Sequence, residues 1–299
     1  MRRSGVRRAL AILAVVLAGC AVSQGVTDTG QRIADQAGFG GVFRQVVVAN
    51  TAGGLVLQSV GDIDPDQEYF IGRAVAADIL AHPDRALSRR QALQGYVSDV
   101  GQAIALGAPS VELPYQGFRF AVLESRTVNA VAAPSGYVFV TTGAVDAARN
   151  EDELAALLAH EIAHVQLRHG LAAIRQSNLT EAGKLLARET VGTGPAQFTQ
   201  VFGASVADVV GTAVTNGYSR AQESEADRLA VQFLVEAGYS PRALTDILAR
   251  VDFDGGGFRS DHPSAADRVA ALTPLVASRG ELPGVALRAA RFGKVVRGG

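Results

Sequence analysis

The chain has 299 residues, 48% of them hydrophobic, with 28 basic and 29 acidic side chains and a formal charge of -1. That is enough apolar material for one sizeable core plus appendages, and the balance of charge excludes the basic surface that nucleic-acid binding requires. Cys20 is the single cysteine, so an internal disulfide is excluded.

Arg2, Arg3, Arg7 and Arg8 precede an apolar run over residues 9–18 that is too short to span a bilayer, the plan of a signal peptide over residues 1–19. The run ends in Leu17-Ala18-Gly19-Cys20, which is similar to a bacterial lipoprotein signal. Cleavage before Cys20 and lipidation of that residue are therefore expected. Ala21 and Val22, with no Asp directly after the cysteine, direct the expectation to the outer membrane, with the chain on its periplasmic side. Loss of the leader leaves 24 basic against 29 acidic residues, a formal charge of -5, so no nucleic-acid partner is expected. Residues 20–60, rich in Gly, Thr, Gln and Ala, predict a lipid-anchored tether with an r.m.s. reach of roughly 35 Å. No later run has the length of a membrane helix, since the best candidate, 201–214, is short and contains Asp208. A tethered soluble domain over residues 61–275 is predicted.

Phe70, Ile71, Val75, Ile79 and Leu80 recur with helical spacing from Asp66 onward, and a second helix is predicted over residues 88–106. The period then changes. Residues 118–123 and 136–141 alternate or run apolar like strands, with residues 129–135 read as their connection. The strand containing Val138 and Thr141 is the candidate edge strand for main-chain pairing with an extended substrate. A short helix near residues 144–148 leads to the next one. The pattern gives an α+β, mainly helical fold with a small β-sheet beside the long helix that follows.

That helix starts at Asn150, an N-cap residue, with Glu153 placed for a capping box and Glu151, Asp152 and Glu153 complementing the helix dipole. Leu154, Leu157, Leu158, Ile162 and Val165 make a buried stripe. Next to it runs His160-Glu161-Ile162-Ala163-His164. Residues i and i+4 share a helical face, so both imidazoles can converge on one metal ion, while Glu161 projects about 100° round the axis toward an attacking water. Chance would produce this pentapeptide roughly 0.01 times in a chain of this length. Arg168 and His169 before Gly170 read as a helix C-terminus. A three-histidine site would need Gly at 167 and His at 170, where this chain has Leu167 and Gly170, so His169 is expected to end the helix.

A catalytic zinc site takes three protein ligands, so a third must come from elsewhere. Ser219 and Gln222 form a second capping-box signature, and on the helix they open, Glu223 and Asp227 share a face at i, i+4. Glu223 is the candidate ligand, and Asp227 the acceptor for the second ring nitrogen of a ligand histidine.

These residues carry a resemblance. Asn129-Ala130-Val131-Ala132-Ala133-Pro134-Ser135-Gly136, Thr142-Gly143, Glu151-Asp152-Glu153-Leu154-Ala155, the pentapeptide, Arg168-His169, Ser219-Arg220, Glu223-x-Glu225-Ala226-Asp227 and His262-Pro263-Ser264 with Arg268 resemble the HtpX-like and prenyl-protein-endopeptidase-like metallopeptidases, family forty-eight, of the gluzincin group. The resemblance spans residues 66–272. It implies a zincin-like domain and zinc-dependent endopeptidase activity, with one zinc per chain held by His160, His164 and Glu223 and with Glu161 as general base. It places His262 near the metal, as oxyanion donor or as a reversible lock, and Ala163 stands where many members have Gly. Pro263 suits the first turn of a helix, so His262 is expected at its N-cap.

Residues 171–217, broken at Gly192-Thr193-Gly194-Pro195, could cover the cleft as a lid. The 276–299 segment, with Arg288, Arg291, Lys294 and Arg297, reads as a solvated basic tail. The expected function is degradation of misfolded or misassembled envelope proteins, with the oxyanion steadied by His262 or Tyr218. The rival is a chaperone or binding module of outer-membrane protein assembly with a latent zinc site. A zinc hydrolase acting on a non-peptide bond is the weaker alternative.

Overall fold

A computed structural model describes residues 65–82, 84–173, 217–251, 264–280 and 282–298, all within the unit formed by Pro65–Ala173 and Val209–Gly299. Cys20, the leader and tether, residues 174–216 with the expected lid, and His262 lie outside the described residues. No described helix is long and apolar enough to cross a membrane.

In chain order the elements are helices α1 (Pro65–Ala81) and α2 (Gln91–Gly107), strands β1 (Arg119–Leu123), β2 (Ala130–Ala133) and β3 (Tyr137–Thr141), then helices α3 (Thr142–Ala147), α4 (Glu151–Gln166), α5 (Arg220–Glu236), α6 (Ala243–Leu248), α7 (Ala265–Ala277) and α8 (Val285–Phe292). The mainly helical α+β expectation holds. The three-stranded sheet has the order β1-β3-β2, with β1 parallel to β3 and β2 antiparallel to it.

This order corrects the edge-strand expectation. β3 is the central strand, flanked on both sides, and the edge is β2, which lies within the stretch read as a connection. Thr141 N–H donates to Asn129 O at 3.0 Å. In an antiparallel ladder the bonding direction alternates, so Ala130 and Ala132 aim their N–H and C=O groups away from β3. The outer side of β1 is closed instead: Ser88 N–H donates to Val122 O at 2.8 Å and Glu124 N–H to Ala86 O at 2.7 Å.

Val122, Ala132, Val138 and Val140 face the main core with α2, α4, α5 and α6. The opposite face carries Phe139 and Val131, which α1 covers with Val75 and Ile79. Gly72 lets α1 come close to the turn after β2: a Cβ there would lie 1.9 Å from Pro134 O.

α4 is the centre of the molecule. Between residues 151 and 165 only His160 is not fully buried, so the helix is enclosed all round rather than along one stripe. Leu154, Leu158 and Ile162 are wholly inaccessible, and burial of each contributes about 1.5–3 kcal/mol. Truncating Leu158 to Ala costs about 2–5 kcal/mol through the cavity it leaves.

Asn150 caps the helix as expected, its Oδ1 accepting from Glu153 N–H at 2.9 Å. The reciprocal half of the capping box is absent because Glu153 is engaged elsewhere, accepting Arg149 N–H at 2.7 Å and pairing with Arg250. All three acids of the first turn are buried and each meets an arginine. Glu151 takes Arg291 Nε at 2.6 Å and Tyr96 OH at 2.7 Å. Asp152 takes Arg288 Nε at 3.0 Å and Ser240 N–H at 2.8 Å. The expected solvated tail is therefore a docked helix, α8, which sends Arg288 and Arg291 into α4 and buries Phe292.

Candidate metal centre

At the other end of α4, the i, i+4 spacing brings His160 Nε2 and His164 Nε2 to 3.0 Å. α5 crosses α4 and supplies the third group: Glu223 Oε2 lies 3.4 Å from His160 Nε2, and its Oε1 lies 3.7 Å from His164 Nε2. Ser219 and Gln222 form the expected capping box of α5, which fixes the start of the helix one residue before Arg220 and four before Glu223. Four tetrahedral ligands at zinc bond lengths stand about 3.3–3.4 Å apart. One donor atom from each of the three residues can be chosen so that all lie within 4.8 Å of one another, close enough to converge on a single ion.

Charge makes the same case. Glu161, Glu223 and Asp227 are buried together, at 8%, 4% and 1% exposure, while Arg268 of α7 supplies one guanidinium. Arg268 grips Asp227 with Nε to Oδ2 at 2.8 Å and Nη2 to Oδ1 at 2.6 Å, and its Nη2 lies 3.7 Å from Glu223. Three carboxylates against one arginine leave a deficit of two positive charges, which a divalent cation matches. Without a metal the deficit falls on His160: burial alone would lower its pKa, but Asp227 and Glu223 outweigh that and raise it to about 10. His164 goes the other way, since burial and the neighbouring His160 hold it well below the usual histidine range.

Asp227 Oδ1 lies 3.0 Å from His160 Nδ1, as the spacing predicted, and orients the ring. Burial would raise Asp227, yet Arg268 and His160 keep it well below the usual carboxylate range. Glu161 is different. Burial and the charge of Glu223 push it up to about 7, against the pull of His160 and Arg268 and a hydrogen bond from Ala132 N–H of β2. A carboxyl group poised there can hold or release a proton near neutrality. The general-base candidate is thus joined to the edge strand of the sheet.

A family model described as Peptidase family M48 matches residues 91–276. The chain belongs to peptidase family M48. It is 29% identical over 167 residues to the beta-barrel assembly-enhancing protease of Escherichia coli (strain K12), covering 53% of this chain and 32% of that protein. It is 30% identical over 163 residues to the metalloprotease YcaL of the same organism, covering 53% and 62%. To the mitochondrial metalloendopeptidase OMA1 of Schizosaccharomyces pombe it is 27% identical over 217 residues, covering 70% and 60%. The chain spans about a third of the length of the assembly-enhancing proteases it matches.

Of the M48 site residues expected here, the structure brings together His160, Glu161, His164, Glu223 and Asp227. It places Ser264, not His262, at the N-cap of α7, where Ser264 Oγ accepts Asp267 N–H at 3.1 Å and completes a capping box. Ser and Asp three residues apart outcompete a histidine for that position.

Three features of the site were not legible as such. His169 is not a helix-end residue facing solvent: α4 stops at Gln166, Arg168 takes a left-handed φ of 54°, and the chain doubles back to bury His169 against His164. Glu68 of α1, outside the matched residues, pairs with Arg168 at 2.6 Å and accepts Ser135 N–H at 3.2 Å. It thereby ties α1 to the turn after β2 and to the end of α4. Glu68 and Arg168, together with Ala132, Pro134, His164 and Tyr218, line a small recess. Tyr218 stacks on His164 with centroids 4.2 Å apart and planes at 21°, and its hydroxyl is buried without a partner among the described residues.

Proposed function

We propose that this chain is a zinc-dependent endopeptidase of the bacterial envelope, anchored through a lipidated Cys20 at the periplasmic face of the outer membrane, that degrades misfolded or misassembled envelope proteins. One observation carries the catalytic part: a His160, His164 and Glu223 donor set whose buried general-base carboxylate, Glu161, meets β2, an edge strand among the described residues. The names of the relatives support the envelope part, since one is a beta-barrel assembly-enhancing protease.

Zinc bound by His160, His164 and Glu223 supplies a Lewis acid that polarises the scissile carbonyl and acidifies water. This chain's own residues do the rest. The outward N–H and C=O of Ala130 and the C=O of Ala132 pair with an extended substrate backbone, which selects unfolded segments over folded ones. The Glu161 carboxylate takes the proton of the attacking water and passes it to the leaving amine. Asp227, fixed by Arg268, holds the His160 ring in place. The buried Tyr218 hydroxyl, with His262, is the donor set for the oxyanion.

Cleavage of casein and of an unfolded outer-membrane protein tests this reading. Glu161→Gln should abolish turnover while zinc stays bound, and Glu223→Ala should lose zinc. Proteolysis by zinc-loaded Glu161→Gln, or full zinc occupancy in Glu223→Ala, overturns it.

A further inference from the structure

The two ligand histidines present Nε2 to the same point, yet their second nitrogens are held in different ways. His160 Nδ1 lies beside a carboxylate, that of Asp227, at an ion-pair distance of 3.0 Å. His164 Nδ1 faces another imidazole: His169 Nδ1 lies 2.9 Å away, and both side chains are buried, at 3% and 4% exposure. Two nitrogen lone pairs do not face each other at that distance without a proton between them.

The metal reading decides whose proton it is. A histidine that offers its Nε2 lone pair to a cation carries its proton on Nδ1, so His164 Nδ1–H is the donor and His169 Nδ1 the acceptor. The proton of neutral His169 then sits on its Nε2, and Glu225 Oε2, on a side chain 60% exposed, lies 3.8 Å from that atom, an ion-pair distance. Both tautomers follow from one chain of contacts. The ring planes are fixed as well: Tyr218 stacks on His164 and also lies 5.5 Å from His169, centroid to centroid. The left-handed turn at Arg168, pinned by Glu68, is what brings His169 back to this position.

We propose that His169 is a positioning residue of the metal site, whose Nδ1 accepts the Nδ1–H of His164 and so fixes that ligand's tautomer and plane, with the Glu225 carboxylate favouring the His169 tautomer protonated at Nε2 through its charge. The proposal rests on His164 being a zinc ligand. It makes the two ligands unequal: His160 leans on a buried anion closed by Arg268, whereas His164 leans on a neutral ring that leads to a carboxylate at the surface. A neutral acceptor draws the Nδ1 proton less strongly than a carboxylate, so His164 is the weaker electron donor of the pair and leaves more positive charge on the ion.

The test uses the full chain, with the ring nitrogens of histidine labelled with nitrogen-15. In the zinc-loaded protein, two-bond proton–nitrogen spectra should show His164 protonated at Nδ1 and His169 at Nε2. His169→Phe, which keeps a ring but no acceptor, should weaken zinc affinity, measured by chelator competition, about 10–100-fold. His169→Asn, which restores an acceptor oxygen, should recover most of that loss, and Glu225→Gln should cost a few-fold. A proton on His169 Nδ1 in the zinc-loaded wild type overturns the proposal, whether or not the variants fold. So does His169→Phe within two-fold of wild type, or His169→Asn no better than His169→Phe, which would mean that ring packing alone matters. His164→Ala separates the two levels. If it keeps full zinc affinity, the ligand reading falls and the proposal with it; if it loses zinc while His169→Phe does not, only the proposal falls.

Discussion

The two ends of α4 each bury three carboxylates, and they are balanced differently. At the N-terminal end Glu151, Asp152 and Glu153 meet Arg291, Arg288 and Arg250, one guanidinium each. At the histidine end Glu223 and Asp227 share one arginine among the described residues, Arg268, and Glu161 is buried beside them. The first arrangement is closed and needs nothing further. The second is incomplete within the described residues, and the missing charge equals that of one divalent ion. Function sits where the helix leaves its electrostatics unfinished, because a site already neutralised by protein cations has no reason to hold a metal.

The largest expected effect is on stability through the metal. With free zinc at about 1,000 times its Kd, binding stabilises the fold by about 4 kcal/mol, so chelation should lower Tm by several degrees, on the order of 8–16 °C. A chelator with no effect on Tm would break the comparison, since the histidine end would then be as self-sufficient as the other.

Next comes Arg288→Ala. It leaves Asp152, 2% exposed as a side chain, without its guanidinium and should cost about 3 kcal/mol in urea unfolding while zinc content stays at one per chain. Loss of zinc in that variant would mean that the two ends are not separate. Gly72→Ala is the converse. Its new Cβ collides with Pro134 O, at 1.9 Å, so α1 and the turn after β2 must part. About 1–3 kcal/mol of stability should go, with a fall in kcat/KM larger than that of Arg288→Ala because the edge strand moves.

The smallest effects are in pH. Burial would raise Glu151, but Arg291 and Tyr96 hold it below the usual carboxylate range. Its contribution is therefore present above the unfolded value of about 4.3 and is lost as pH falls through the lower folded value. Wild type and Arg291→Leu should differ in Tm at pH 7 and converge below about pH 4. The difference should be modest, since the Arg291 side chain is 57% exposed. At the histidine end, Glu161 must be ionised to act, and its pKa of about 7 without metal can only fall beside a cation. The acid limb of kcat/KM should lie at or below about pH 7.

Local features of this molecule were legible in its sequence. The cap at Asn150, the capping box at Ser219, the His-Glu-x-x-His face and the i, i+4 pair Glu223 and Asp227 depend only on helix geometry, and each stands as expected. What escaped depends on chain separation or on backbone choices that residue types do not announce. β2 is four residues, three of them Ala, with none of the β-branched alternation that marks a strand, and only its pairing with β3 makes it one. Arg168 is not a residue type that favours left-handed φ, so nothing local announced that His169 would fold back. The partners of Glu151 and Asp152 lie 140 and 136 residues downstream, where a run of arginines looked like a solvated end.

That last separation bears on timing. At ribosomal rates of about 5–20 residues per second, the stretch from Glu151 to Arg291 takes roughly 7–28 s to emerge, and until then the first turn of the histidine helix has three acids with no complete set of counterions. A nascent chain in that interval holds the His-Glu-x-x-His motif on a helix whose first turn is not yet neutralised, so the N-terminal end of that helix gains its full set of partners only after α8 has been made.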